Sequence, residues 1–250
     1  VKQLVAYSCK VIKDKEKEEK TKALKFVDDR LLSMPSVALI QVKKEMDYMF
    51  SLVEENISLS FNALETGKLV SNEKIECNES IIDFTNGALT RFLIKLSSMV
   101  EQSDELIIGS YFHVLNDLER VGDHAENFYE IVAEMASKKL TFSEKGQNDI
   151  KAMSDKVMQM LVISKDAFDN LNKAELSMLD EFEEEIDAMK KELTASHFIR
   201  LAEGNCSMDV SPYYSSTVAG LERVADHCSN IAGCMLELSK DKALDMHKYL

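Results

Sequence analysis

The chain has 250 residues, of which only eight are glycine and two proline, well below the usual share of these helix breakers. Tight turns draw on Gly, Asn and Pro for their backbone angles, so sandwiches, barrels and doubly wound sheets are excluded and long helices remain. Thirty Lys+Arg against 44 Asp+Glu leave a net charge of −14, the wrong sign for a nucleic-acid binder, while 45 % hydrophobic residues exclude a disordered chain.

Residues 1–34 read as a short amphipathic helix, a Lys/Glu-rich solvated stretch and a connector that Pro35 ends. From there the apolar periodicity is helical almost throughout, and the few breakers punctuate it. Gly67 suits a left-handed position after a first helix, and Asn72 precedes the second. The polar run 98–103 divides the second helix from the third. Thr141 and Glu144 have capping-box spacing, as do Asn172 and Glu175. Gly204-Asn205 ends a fifth helix, and Ser211-Pro212 supplies an N-cap hydroxyl and a proline at the first helical position of a sixth. The expected helices are 37–66, 71–98, 104–138, 144–171, 174–203 and 211–240. The fold class is therefore all-α: six long antiparallel helices behind an N-terminal helical linker at 1–34. They divide into three-helix repeats at 35–140 and 141–250.

The division follows an internal repeat. Leu118-Glu119-Arg120-Val121-Gly122-Asp123-His124 returns as Leu221-Glu222-Arg223-Val224-Ala225-Asp226-His227, and Asn127 returns as Asn230, at an offset of 103. On a helical wheel Glu119, Asp123, Glu126 and Glu130 share a stripe opposite Val121, Phe128, Val132 and Met135. A merely solvated stripe would exchange its polar residues freely between copies. Glu126 and Glu130 do so, becoming Ser229 and Gly233, but Glu119 and Asp123 persist as Glu222 and Asp226. One helix earlier, Glu79 and Asp83 return as Glu183 and Asp187 at an offset of 104, and Glu76 as Asp180.

Acids four apart face the same way on a helix and repel each other. Two such pairs on facing helices form a carboxylate cluster suited to a cation, and hard oxygen donors favour Mg, Ca, Mn or Fe, with Zn behind them. The candidate metal ligands are Glu79, Asp83, Glu119 and Asp123 in the first half and Glu183, Asp187, Glu222 and Asp226 in the second. His124 and His227 lie off the stripe and read as structural. Asn127 and Asn230, at its edge, are placed to steady a ligand carboxylate. Arg120 and Arg223 read as ion-pair partners of nearby acids.

Other chemistries find no support. Neither Glu-x-x-His nor Asp-x-x-His occurs, nor a glycine-rich phosphate loop, nor a Gly-x-Ser-x-Gly elbow. The chain reads as a regulatory or binding module with no catalytic residues; a metal-dependent enzyme is the weaker alternative. Cys9, Cys77, Cys206, Cys228 and Cys234 are odd in number and unpaired in spacing, as expected of reduced residues in a cytosol. Met34, Met46, Met49, Met153, Met158 and Met160 fall mostly on core positions. No apolar run is long enough to span a bilayer.

The doubled Leu-Glu-Arg-Val-(Gly/Ala)-Asp-His-x-x-Asn motif resembles the signature of the PhoU family across residues 37–240. That resemblance implies duplicated three-helix bundles, a role in control of phosphate uptake, and multinuclear metal sites, often of iron, at the acid-x-x-x-Asp pairs. Val27-Asp28-Asp29-Arg30-Leu31-Leu32 and Met34-Pro35-Ser36-Val37-Ala38-Leu39 are similar to the connector of sodium/phosphate cotransporters. This implies a regulatory domain on the cytoplasmic face of the membrane, excised from a longer chain. Its partner would be the transmembrane portion of that chain, with self-association as a further option and no nucleic acid. A free-standing PhoU-type adaptor is the alternative.

Overall fold

In the computed structural model, residues 22–69, 72–170 and 173–240 are described. The helix expected at the chain start, Cys9 and Asn172 lie outside them. Six long helices follow one another: α1 Pro35–Thr66, α2 Asn72–Ser97, α3 Gln102–Ser137, α4 Glu144–Asn170, α5 Lys173–Ala202 and α6 Ser211–Lys240. Short 3-10 turns at Asp29–Ser33 and Met208–Val210 precede α1 and α6. No strand occurs among the described residues. The all-α, six-helix architecture is as expected, with ends within two residues of those read from the breakers.

The capping chemistry differs in two places. Helix α4 begins at Glu144, so Ser143, not Thr141, stands at its N-cap, and the Gly146 amide donates to the Ser143 hydroxyl at 3.2 Å. Ser211 is already helical because the 3-10 turn leads into it, and its hydroxyl lies 3.0 Å from His197 Nε2 instead of capping α6. Gly67 takes the left-handed conformation at φ 66° and ends α1.

Helices α3 and α6, carriers of the repeated motif, pack against each other at the centre. Helix α1 lies on α3 and α4 lies on α6, with α1 and α4 also touching. Helices α2 and α5 are the outer ones, each packed chiefly on the two other helices of its own half. Burial follows this order. Helix α1 buries Leu39, Val42, Met46, Met49, Phe50, Val53 and Ile57, a broad face at helical spacing. The described buried residues of α5 are Leu179, Ile186, Leu193, His197 and Arg200, a narrow stripe suited to one supporting layer. Val121, Phe128, Val132 and Met135 of α3 are all buried. Met46, Met49, Met153 and Met160 are core residues, whereas Met158 is half-buried and Met34 exposed.

Two buried polar features fix the frame. In the second half Arg200 Nη1 donates to Asp149 Oδ2 at 2.9 Å and to Ser196 Oγ at 2.8 Å, while the His197 ring stacks on Tyr214 at 4.4 Å. In the first half the buried Glu45 accepts a 2.7 Å hydrogen bond from the Phe26 amide. The connector is further held by Lys25 over the Tyr48 ring at 3.1 Å and by Lys95 on Asp29 at 2.7 Å. Residues 22–34 therefore run along α1 and α2.

Candidate metal centre

The seam between α2 and α3 gathers the first-half acids. Asn78, buried beside Glu79, donates to Asn56 Oδ1 at 2.9 Å and to Glu55 Oε2 at 3.0 Å, which pins this turn of α2 to α1. Glu79 follows one residue on and turns towards α3. Carboxylate oxygens of Glu79, Asp83 and Asp123 all lie within 4.8 Å of one another, the one such acidic group among the described residues. Glu79 is only 6 % exposed, and neither of its carboxylate oxygens has a hydrogen-bond partner among the described residues.

Gly122 makes this approach feasible. A Cβ there would lie 3.0 Å from Glu79 Oε2 and 3.4 Å from Ile82, so glycine leaves space for the carboxylate against the α3 backbone. Glu119 and Glu126 flank the group along α3. Burial, reinforced by Asp83, Asp123, Glu126 and Glu119, pushes the Glu79 carboxyl up to about 8. Burial and the Asp123 charge raise Asp83, with Lys22 opposing, and raise Glu119, with Arg120 opposing. Glu126 is raised by burial and by Glu130, Asp83, Asp123 and Glu76. An ionised carboxylate in such a place is costly unless a cation or a proton neutralises it.

The residues present fit a hard divalent ion. They offer carboxylate oxygen only, converge from two helices, and include a buried carboxylate whose oxygens the protein leaves unsatisfied. Glu79, Asp83 and Asp123 would hold it, with Glu119 beside them; such an ion supplies charge neutralisation and a tie between α2 and α3.

The second half places its acids differently. Glu222 Oε1 lies 2.7 Å from Lys190 Nζ, Glu183 Oε2 accepts from the Ser229 hydroxyl at 2.7 Å, and Asp187 stands 4.0 Å from Lys191. Burial raises the Asp226 carboxyl, as do Glu222, Glu183 and Asp187. These four acids share a seam between α5 and α6 without the close convergence of the first half.

The motif's histidines lie at the contact between α3 and α6. His227 Nδ1 lies 2.8 Å from Asp117 Oδ1, and the His124 and His227 rings sit 6.0 Å apart where α3 meets α6. Burial and the nearby His227, Arg223 and Arg120 lower His124 to about 4. Arg120 reaches Asp123 at 3.4 Å and Glu119 at 3.6 Å, in keeping with an ion-pair role. Asn127 and Asn230 are exposed. Lys190 was not singled out from the sequence, although comparing positions 86 and 190 across the repeat reveals an asparagine against a lysine.

The PhoU domain family matches this chain twice, at residues 46–132 and 150–235, once over each half. The chain belongs to the PhoU family. A phosphate-specific transport system accessory protein PhoU homolog 1 from Thermotoga maritima is 26 % identical over 200 residues, covering 77 % of this chain and 83 % of the relative. A second accessory protein PhoU homolog, from Clostridium acetobutylicum, is 23 % identical over 212 residues, covering 84 % and 95 %. Among solved structures, PhoU from Pseudomonas aeruginosa superposes with a TM-score of 0.73 at 19 % identity, covering 80 % of this chain and 95 % of that one. The phosphate transport system regulatory protein PhoU from Streptococcus pneumoniae gives 0.71 at 21 %, covering 85 % and 100 %. At these identities the structural likeness bears on the fold, which is the six-helix PhoU fold.

Proposed function

We propose that this PhoU chain is an accessory regulator of phosphate transport that binds a hard divalent cation at Glu79, Asp83 and Asp123. The observation that carries the cation reading is the buried, unpartnered Glu79 carboxylate aimed at two further acids. The regulatory reading rests on the double family match and on relatives that are themselves named as transport accessory proteins. A module without a catalytic constellation acts by binding one state of a partner better than another.

Three experiments test this. Protein purified without chelator should carry Fe, Mn or Mg by elemental analysis. Stripped protein should gain thermal stability when the ion is restored, since a ligand that binds only the folded state stabilises it by mass action. Stripped protein that gains nothing from any of these ions would exclude the cation. Disrupting the gene in its host should change phosphate uptake, and unchanged uptake would overturn the regulatory role.

Attachment to a sodium/phosphate transporter at the cytoplasmic face of the membrane is the second reading. It rests on the connector residues 27–39. The accessory-protein relatives, matched over 83 % and 95 % of their own lengths, favour the free-standing adaptor. No helix among the described residues is long and apolar enough to cross a membrane. Reading the coding sequence upstream of Val1 decides between them.

A further inference from the structure

Three differences between the repeats all act in one direction. At the position where α2 carries Asn86, α5 carries Lys190, whose ammonium lies 2.7 Å from Glu222. Asn86 shares the stripe of Glu79 and Asp83, and its Oδ1 is buried without a hydrogen-bond partner among the described residues. Where α3 carries Glu126, α6 carries Ser229, which donates its hydroxyl to Glu183. Where α3 carries Gly122, making room for Glu79, α6 carries the buried Ala225. In the second half, then, an acid is replaced by a donor, a neutral side chain by a cation, and an open space by a methyl group.

The consequence for the carboxylates is visible. The buried oxygens of Glu79 have no partner, whereas Glu183 and Glu222, their repeat counterparts to Glu79 and Glu119, are each held by a donor from a neighbouring helix. Lys190 joins α5 to α6 as a divalent ion would join α2 to α3. The first half also has cations nearby, but they are of another kind. The Arg120 side chain is 61 % exposed and stands 3.4 Å or more from its acids, and the Lys22 ammonium is engaged by Ser80. Exposed pairs of this sort contribute little and yield readily to a divalent ion.

We propose that the two acidic seams have divided their roles: the first binds divalent cations, and the second carries Lys190 as a built-in substitute and binds none. This rests on the cation reading of the first half. It assigns the chain's ion-binding capacity to one repeat and makes Lys190 the residue that closes the other.

The test counts Mn2+ bound to stripped full-length protein, by electron paramagnetic resonance titration and by elemental analysis after gel filtration. Four proteins are compared: wild type, E79Q/D123N, D187N/D226N and K190N. Removing acids from a repulsive cluster leaves helix content intact, which circular dichroism checks. Wild type and D187N/D226N should bind the same number of ions, E79Q/D123N none with retained fold, and K190N more than wild type. Loss of ions from D187N/D226N, or ions retained by E79Q/D123N, would overturn the division while leaving cation binding in place. A K190N protein that gains no ions would overturn the role given to Lys190. A wild type that binds no Mn2+ would overturn the cation reading itself, and the division with it.

Discussion

Glu79 is the residue on which the site's energetics turn. Its folded carboxyl lies at about 8 against an ordinary 4.5, so between those values the folded state holds a proton that the unfolded state releases. The stability this contributes is fully present below 4.5 and is lost as pH rises through 8. His124 works the other way: lowered from 6.5 to about 4, it contributes stability above 6.5 that is lost as pH falls through 4. The two oppose each other below 6.5, which leaves 6.5 to 8 as the window belonging to Glu79. Metal-stripped wild type should lose on the order of 1–2 kcal/mol across it in urea unfolding. E79Q should show no such slope and be the more stable protein at pH 8; a flat wild-type profile would refute the buried charge. Gly122 acts on the same group. G122A brings a methyl to 3.0 Å from Glu79 Oε2 and should weaken Mn2+ binding at least tenfold while costing about 1 kcal/mol of stability. An unaltered Mn2+ titration would show that the close approach is not needed.

Among the elements, the pairing of α3 with α6 is the tightest constraint. A Cβ at Gly220 would lie 2.6 Å from Phe128 Cε1, and Phe128 is buried in the core. G220A therefore forces the ring or the helices apart and should lower stability by about 1–3 kcal/mol in chemical unfolding. No loss would mean that the ring rearranges freely. The tie from α4 to α5 is electrostatic. D149N leaves the Arg200 guanidinium buried with its charge unanswered and should cost about 3–5 kcal/mol. A change below 1 kcal/mol would show that the Arg200 guanidinium does not depend on that carboxylate. The helices were legible in the sequence because so few residues interrupt them: Gly67, Pro35 and Gly204 each stand at a helix end. The acid pairs were legible because repetition separated Glu119 and Asp123 from the freely varying Glu126 and Glu130. Contacts between helices were not. Lys190 and Glu222, or Asp149 and Arg200, meet only once crossing angles and rotations of packed helices are set, and periodicity along one helix carries no record of these. Ser143 displaced Thr141 as a cap for a similar reason, since one residue of shift in a helix start changes which hydroxyl faces the free amides.

The whole molecule is a centre of four helices, α1, α3, α4 and α6, with α2 and α5 each applied to its own half. The outer position of α2 has a dynamic consequence. It is fastened to α1 by Asn78, and its other seam sets Glu79 and Asp83 against Asp123 of α3. An ion shared by Glu79, Asp83 and Asp123 would therefore oppose local detachment of α2, whose carboxylates otherwise face those of α3. Hydrogen–deuterium exchange on stripped protein should show α2 amides slowed at least tenfold by Mn2+, with α5 amides unchanged. Equal slowing in α5 would place the effect in the whole bundle. One surface helix would thus serve as a gauge, its time spent away from the bundle set by the concentration of ions around it.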